Sequence, residues 1–110
     1  LEGYVEINGI KAFTLFDSGS TFDSLSPALA KVAGLEEIEL EDPVTLQMAV
    51  KGSTSKVNYG TYARCRIGPI DTKHYFDISN IDHYQCILGM PFMHTHNVML
   101  APGTRRIHVG

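Results

Sequence analysis

The sequence predicts a small, mainly β domain whose strands close as a barrel-like or sandwiched sheet, with two short helices set into it. Three features carry that expectation. Seven or eight short β-prone runs follow one another, separated by turn residues. The first two of them flank Asn8-Gly9, a strong short-range hairpin signal. An apolar strand that stops at a small-residue break and continues into a short helix occurs twice.

Taken in order, Tyr4–Ile7 and Ile10–Phe16 form the first hairpin. A type I′ turn needs φ > 0 at both central residues, which Asn and Gly supply with little strain. Ala12-Phe13-Thr14-Leu15-Phe16 is mostly apolar, as a buried strand should be, and stops at Asp17-Ser18-Gly19-Ser20. Ser26 to Gly34 carries its own helix punctuation: Ser26 as N-cap, Pro27 at the first helical position, Gly34 just past the end. Glu36 to Asp42 holds five acidic residues among seven, closes at Pro43, and reads as a solvated loop. Val44–Val50 and Lys56–Ile67 flank Lys51-Gly52-Ser53-Thr54-Ser55, giving a long hairpin with a polar, Gly-bearing tip. Gly68-Pro69-Ile70-Asp71 is a turn, His74–Ile78 a strand, and Cys86-Ile87-Leu88 a short apolar run stopped by Gly89. Met90–His96, with Pro91 in its first turn, is the second helix. Val98–Leu100 and Arg105–Val109 flank Ala101-Pro102-Gly103-Thr104 as a last hairpin. The two strand–break–helix units are Phe13–Gly19 with Ser26–Ala33 and Cys86–Gly89 with Met90–His96; they hint at two similar halves without a residue-level repeat.

Composition narrows the function classes. At 110 residues the expectation is a single domain, 1–110, able to bury a core without a metal or disulfide staple. With 44% hydrophobic and 19% charged residues it is an ordinary globular chain. Nine Lys+Arg stand against twelve Asp+Glu and Arg105-Arg106 is the sole basic dipeptide, so no nucleic-acid partner is expected. No apolar run approaches the roughly 20 residues that span a bilayer, and Leu1-Glu2-Gly3 lacks the basic and apolar regions of a signal peptide, so no membrane partner is expected. Cys65 and Cys86 lie far apart and outside any Cys-x-x-Cys pair, and are expected as reduced, buried thiols in a cytoplasmic setting. His94-x-His96 is the nearest approach to a metal motif, but on a helix those side chains diverge, so no metal and no other cofactor is expected. His74, His83, His94, His96 and His108 read as surface or loop residues. Asp23, Asp71, Asp77 and Asp82 read as turn or polar strand positions without a catalytic role.

Asp17 is the most informative residue. A carboxylate directly after a buried apolar strand carries a desolvation cost unless hydrogen bonds or a shared proton offset it. Ser18, Gly19 and Ser20 supply hydroxyls and accessible backbone N–H groups at that point. Asp-Ser-Gly-Ser is also ordinary turn chemistry, so the tetrapeptide alone says little. In context, Phe13-Thr14-Leu15-Phe16-Asp17-Ser18-Gly19-Ser20-Thr21 resembles the active-site strand and turn of aspartic proteases. Cys86-Ile87-Leu88-Gly89-Met90 resembles their second signature, two aliphatics then Gly, which packs beside the catalytic turn. The spacing, the intervening hairpin and the helix after Gly89 are similar to the retropepsin subfamily, closest in flavour to proteases of gypsy-type LTR retrotransposons. The resemblance spans Tyr4 to Val109.

That resemblance implies a small closed barrel-like acid-protease fold with one or two short helices, and an aspartic endopeptidase that processes a retroelement polyprotein. Peptide hydrolysis by water needs a general base and a general acid. Two carboxylates held together share one proton and fill both roles. One chain carries one Asp-Ser-Gly, so a homodimer would bring Asp17 from each protomer to the two-fold axis. By resemblance, Ser18 hydrogen-bonds across that axis, Gly19 lets the substrate backbone approach, and Ser20 donates to the outer oxygen of the Asp17 carboxylate. Ile87, Leu88 and Gly89 pack beside the turn. The Val44–Ile67 hairpin becomes the flap, with Ala49, Val50, Lys51, Gly52 and Ser53 over an extended polypeptide substrate gripped as an added strand. Terminal strands hold the dimer: Arg105–Val109 alternates polar with apolar residues and places Ile107 and Val109 on one face, to be buried against the two-fold mate. A virus-like particle is the setting the resemblance adds to the cytoplasmic one.

The chain also departs from the retroviral pattern. Retroviral enzymes often carry an Asp two residues beyond the turn's Gly, paired with an Arg right after the second Gly. Here those positions are Thr21 and Met90, so both partners are absent together, and the hairpin tip is less Gly-rich. Two other readings share these residues. One is a catalytically weak or inactive domesticated domain acting as a dimerisation or peptide-binding module, against which the intact Asp17-Ser18-Gly19 argues. The other, an unrelated small β-barrel binding module, requires both motifs to be coincidental.

Overall fold

The computed structural model describes residues 1–47, 54–101, 103 and 106–109. Along the chain run β1 (Glu2–Ile7), β2 (Ile10–Phe16), β3 (Ser24–Leu25), α1 (Pro27–Val32), β4 (Ile38–Gln47), β5 (Thr54–Ile67), β6 (Ile70–Ile78), β7 (Cys86–Leu88), α2 (Met90–His96), β8 (Val98–Ala101) and β9 (Arg106–Val109). Asn8 and Gly9 both take positive φ, 49° and 81°, so the first turn is the one its residues call for.

Six strands close on themselves. β1 pairs with β2, β2 lies parallel to β7, β7 antiparallel to β3, β3 parallel to β6, and β6 antiparallel to β5. β5 then returns to β1 through Glu6↔Arg66 and Ile7↔Cys65. Asn8 extends that closure: its N–H donates to the Arg64 carbonyl (2.9 Å), and its Oδ1 accepts from the Arg64 N–H (2.8 Å). Inward positions alternate along β1 and β2, filling the interior with Val5, Ile7, Ala12 and Phe16. Leu25, Leu29, Phe76, Leu88 and Phe92 complete the core. Each of these large side chains contributes about 1.5–3 kcal/mol of burial.

The two strand–break–helix units become neighbours in space, because β2 and β7 pair side by side in parallel. α1 has the expected punctuation: Ser26 Oγ accepts from the Leu29 N–H at 3.1 Å, and Gly34 follows the C-cap with φ 66°. α2 starts at Gly89 without a side-chain cap and ends at Asn97 in the left-handed region, φ 53°.

Two expectations need correction. The acidic stretch is a loop only at Glu36 and Glu37: Ile38–Asp42 is the first half of β4, which pairs with β5 and shifts register between Glu39 and Val44. Among the described residues β4 lies outside the closed ring and pairs only with β5; Glu39, Glu41 and Asp42 stay exposed, and Pro43 falls in the interval between Glu39 and Val44 where the register with β5 shifts. Also, β6 starts at Ile70, four residues before the predicted strand, because its register with β5 continues to the Gly68-Pro69 turn. Cys65 and Cys86 are free and buried. Burial, with the nearby Asp23 charge, pushes the Cys65 thiol up to about 12, and burial also raises Cys86 well above its ordinary value. Among the described residues no helix is long and apolar enough to cross a membrane.

Candidate active site

β2 delivers Asp17 to the surface beside β7. The register Thr14↔Cys86, Leu15↔Ile87, Phe16↔Leu88 continues one rung further, with the Asp17 N–H donating to the Leu88 carbonyl at 3.0 Å. The chain then folds back on itself: the Ser20 N–H donates to the Asp17 carbonyl (3.0 Å), and the Gly19 N–H donates to Asp17 Oδ1 (2.9 Å). A side chain at position 19 would place its Cβ 3.2 Å from that same oxygen, so glycine keeps the carboxylate's inner side clear. Asp17 ends half-buried, with Ser18 and Gly19 exposed beside it. It opens into a cleft of about 630 Å³ walled by Leu1, Leu15, Tyr84 and Leu100. A carboxylate held by one backbone donor, at the mouth of a partly apolar cleft, is suited to exchanging a proton with a reactant.

Ser20 supports the turn differently from the expected way. Its hydroxyl donates to the Phe22 carbonyl (2.8 Å) and accepts from the Phe22 N–H (3.2 Å), so it is engaged within its own loop and not with Asp17. Of the second motif, Leu88 and Gly89 are buried and Ile87 is half-buried. Gly89 has no room for a side chain: a Cβ there would lie 2.6 Å from both the Ser20 and the Phe22 carbonyl oxygens. The Met90 N–H donates to the Ser20 carbonyl at 2.8 Å, so the corner into α2 backs directly onto the Asp17 turn. Thr21 and Met90, where retroviral enzymes pair an Asp with an Arg, are both exposed.

Asp23 and His74 are not the surface and turn residues the sequence reading made them. Asp23 is 5% exposed; its Oδ1 accepts from the Gly89 N–H at 2.6 Å, and its Oδ2 lies 2.5 Å from His74 Nε2. Asp77 is buried as well, accepts from the Tyr75 hydroxyl (3.1 Å), and is raised above the ordinary carboxylate range by burial. A signal for His74 existed: it shares strand parity with Ile70, Thr72 and Phe76, the inward side of β6.

Ile107 and Val109 share one face of β9, as expected, and that face packs on the core of their own chain. β9 pairs with β8 in the register Val98↔Val109 to Ala101↔Arg106. The hairpin arms β4 and β5 pair as far as Gln47↔Thr54; the tip, Ala49 to Ser53, lies outside the described residues. Among the described residues no three His, Cys, Asp or Glu side chains converge as metal ligands would.

The closed six-stranded barrel and the Asp17 turn braced by the Gly89 corner define a retropepsin-type aspartic protease domain. Residues 4–95 match the family described as "gag-polyprotein putative aspartyl protease", and the chain belongs to that family. Its structure is similar to the retroviral protease-like domain of Ddi1 from Leishmania major, with a TM-score of 0.72 and 14% identity over 99% of this chain and 86% of that one. It is also similar to the EIAV protease complexed with the inhibitor HBY-793, with a TM-score of 0.67 and 18% identity over 86% of each chain. At such identities the likeness bears on the fold. No curated protein is significantly similar to the chain in sequence.

Proposed function

We propose that this domain is an aspartic endopeptidase that works as a homodimer on extended polypeptide, with a retroelement polyprotein as its natural substrate. The observation that carries the reading is Asp17 itself: a half-buried carboxylate at a cleft mouth, oriented by the Gly19 N–H, in a chain with a single Asp-Ser-Gly. One carboxylate is half of the machinery for hydrolysing an amide with water. Two Asp17 side chains facing each other share one proton. The ionised one takes a proton from a water molecule as its oxygen attacks the peptide carbonyl carbon. The protonated one donates to the carbonyl oxygen. In the second half-step the carboxyl that took the water's proton donates it to the amide nitrogen, the C–N bond breaks, and the other carboxylate takes a proton from a hydroxyl of the tetrahedral diol, leaving a carboxylic acid, an amine and a dyad that again holds one proton. In this reading Ser18, exposed beside Asp17, braces the partner turn, and the β4–β5 hairpin covers the substrate.

Asp17→Asn tests this. It keeps the shape and removes the proton exchange, so cleavage of a peptide library, read by mass spectrometry, should fall by at least about a thousandfold while fold and dimer persist. Wild-type activity should have an acid-side optimum, fall as the dyad loses its second proton, and be blocked by a statine-type peptide. Retained activity in the Asn variant would reject Asp17 as the catalytic group. A folded wild type that binds peptide without cleaving it would make the domain a binding module.

A further inference from the structure

Three hydrogen bonds hold the Asp17 turn against the corner where β7 becomes α2. Two are main-chain bonds, from the Asp17 N–H to the Leu88 carbonyl (3.0 Å) and from the Met90 N–H to the Ser20 carbonyl (2.8 Å). The third ends on a side chain, the Gly89 N–H donating to Asp23 Oδ1 at 2.6 Å. The corner cannot supply this acceptor itself, since Gly89 has no space for a side chain and α2 has no side-chain cap.

Asp23 is held in place from every side. Its carboxylate, 2% exposed, would be costly at that depth without partners, and its second oxygen meets His74 Nε2 at 2.5 Å. The His74 ring stands edge-on to Phe76 and Phe92, with centroids 5.0 and 5.1 Å away, so it cannot swing off without repacking the core. The Asp23 main-chain carbonyl accepts from the Asp77 N–H at 2.9 Å, which anchors the residue to β6.

We propose that Asp23, oriented by His74, is a positioning residue that locks the Asp17 turn to the Gly89 corner and so sets where the Asp17 carboxylate stands. The catalytic consequence rests on the peptidase reading of the site; the lock itself does not. A misplacement of the reacting groups by a fraction of an ångström acts on the transition state more than on ground-state binding.

The test compares Asp23→Ala, Asp23→Asn, His74→Ala and His74→Gln with the wild type. It reads peptide cleavage (kcat and KM), amide hydrogen exchange by NMR at Gly19, Ser20 and Gly89, and global stability in urea. In Asp23→Ala the Gly89 amide should exchange at least about tenfold faster than the change in global unfolding accounts for. Its kcat should fall by about ten- to a hundredfold with KM within about twofold. Asp23→Asn keeps an acceptor for Gly89 and His74→Gln keeps a donor for Asp23, so both should recover most of the protection and of kcat. Should Asp23→Ala fail to fold, His74→Ala against His74→Gln carries the same comparison. Unchanged Gly89 exchange, or exchange that rises equally at all amides in step with global unfolding, overturns the lock. Wild-type kcat in a folded Asp23→Ala overturns its catalytic consequence. If the wild type cleaves nothing, the peptidase reading fails and the Gly89 exchange alone decides the lock.

Discussion

Asp17, Asp23 and Asp77 are three aspartates with three fates, set by where the strands deliver them. Asp17 leaves β2 at the surface and keeps one face toward a cleft. Asp23 turns inward and finds two strong partners. Asp77 is buried with the Tyr75 hydroxyl as its donor; burial raises it above the ordinary carboxylate range, the Tyr75 hydrogen bond offsets part of that, and the Asp23 charge adds to the rise. Burial foremost, with the Asp77 charge, in turn pushes the Tyr75 hydroxyl up to about 12. The raised Asp77 value has a definite sign in stability. The folded chain holds this proton more tightly than the unfolded one. The contribution is therefore present below the ordinary Asp value of about 3.9 and is lost as pH rises through the raised value. Asp77→Asn keeps an oxygen for Tyr75 and removes the charge. It should stabilise the protein at pH 7 and change little near pH 4, as read from urea melts at both. An equal shift at both pH values would show that the Asp77 charge is not responsible.

At the scale of elements, the site is a junction of β2, β7 and the start of α2. The parallel register of β2 and β7 sets the Asp17 turn and the Gly89 corner side by side, and Gly89 lets them touch. Gly89→Ala would press a methyl group against two backbone carbonyls that have no rotamer with which to yield. The expected cost is about 1–3 kcal/mol, from overpacking, together with a loss of activity larger than the stability change explains. Denaturant unfolding and kcat measured on the folded variant separate the two. Gly34→Ala is the control: the residue has φ 66° but open space around it, so only backbone strain of about 1–2 kcal/mol is expected, with kcat unchanged.

For the whole molecule, the β8–β9 hairpin stands as a sheet of its own, apart from the barrel. Its inner face, with Leu100, Ile107 and Val109, packs on the core, while Met99 is 68% exposed. Met99 joins Met90, Met93 and His94 around a cavity of about 380 Å³ that reaches Ser18. On the proposed homodimer reading, this apolar, methionine-bearing surface beside the Asp17 turn is the face proposed to meet the second copy. Specific activity should then rise with protein concentration and level off. Met99→Lys changes an exposed residue, so the monomer's stability should hold while dimer dissociation rises by about tenfold or more, roughly 1.4 kcal/mol. Sedimentation equilibrium with parallel activity assays reads both, and a fully active monomer would reject the shared site.

Local chemistry by itself determined a good deal of this protein. Asn8-Gly9 dictated its turn, Ser26-Pro27 and Gly34 bracketed α1, and the apolar run ending in Asp17-Ser18-Gly19 marked the strand and turn of the site. Each of these signals spans only a few neighbouring residues, so the sequence shows it directly. The acidic Ile38–Asp42 segment escaped because, among the described residues, β4 pairs only with β5, outside the ring, so its exposed carboxylates leave no pattern that separates strand from loop. β3 escaped because two residues carry no periodicity; it exists through its neighbours β6 and β7. The pairing of Asp23 with His74 and Gly89 joins residues 51 and 66 positions apart, which only the closure of the barrel brings within hydrogen-bond distance. The tertiary structure alone decided that a polar residue in a short loop would be buried and would find a half-buried histidine in a strand as its partner, because burial depends on what the rest of the chain packs around them.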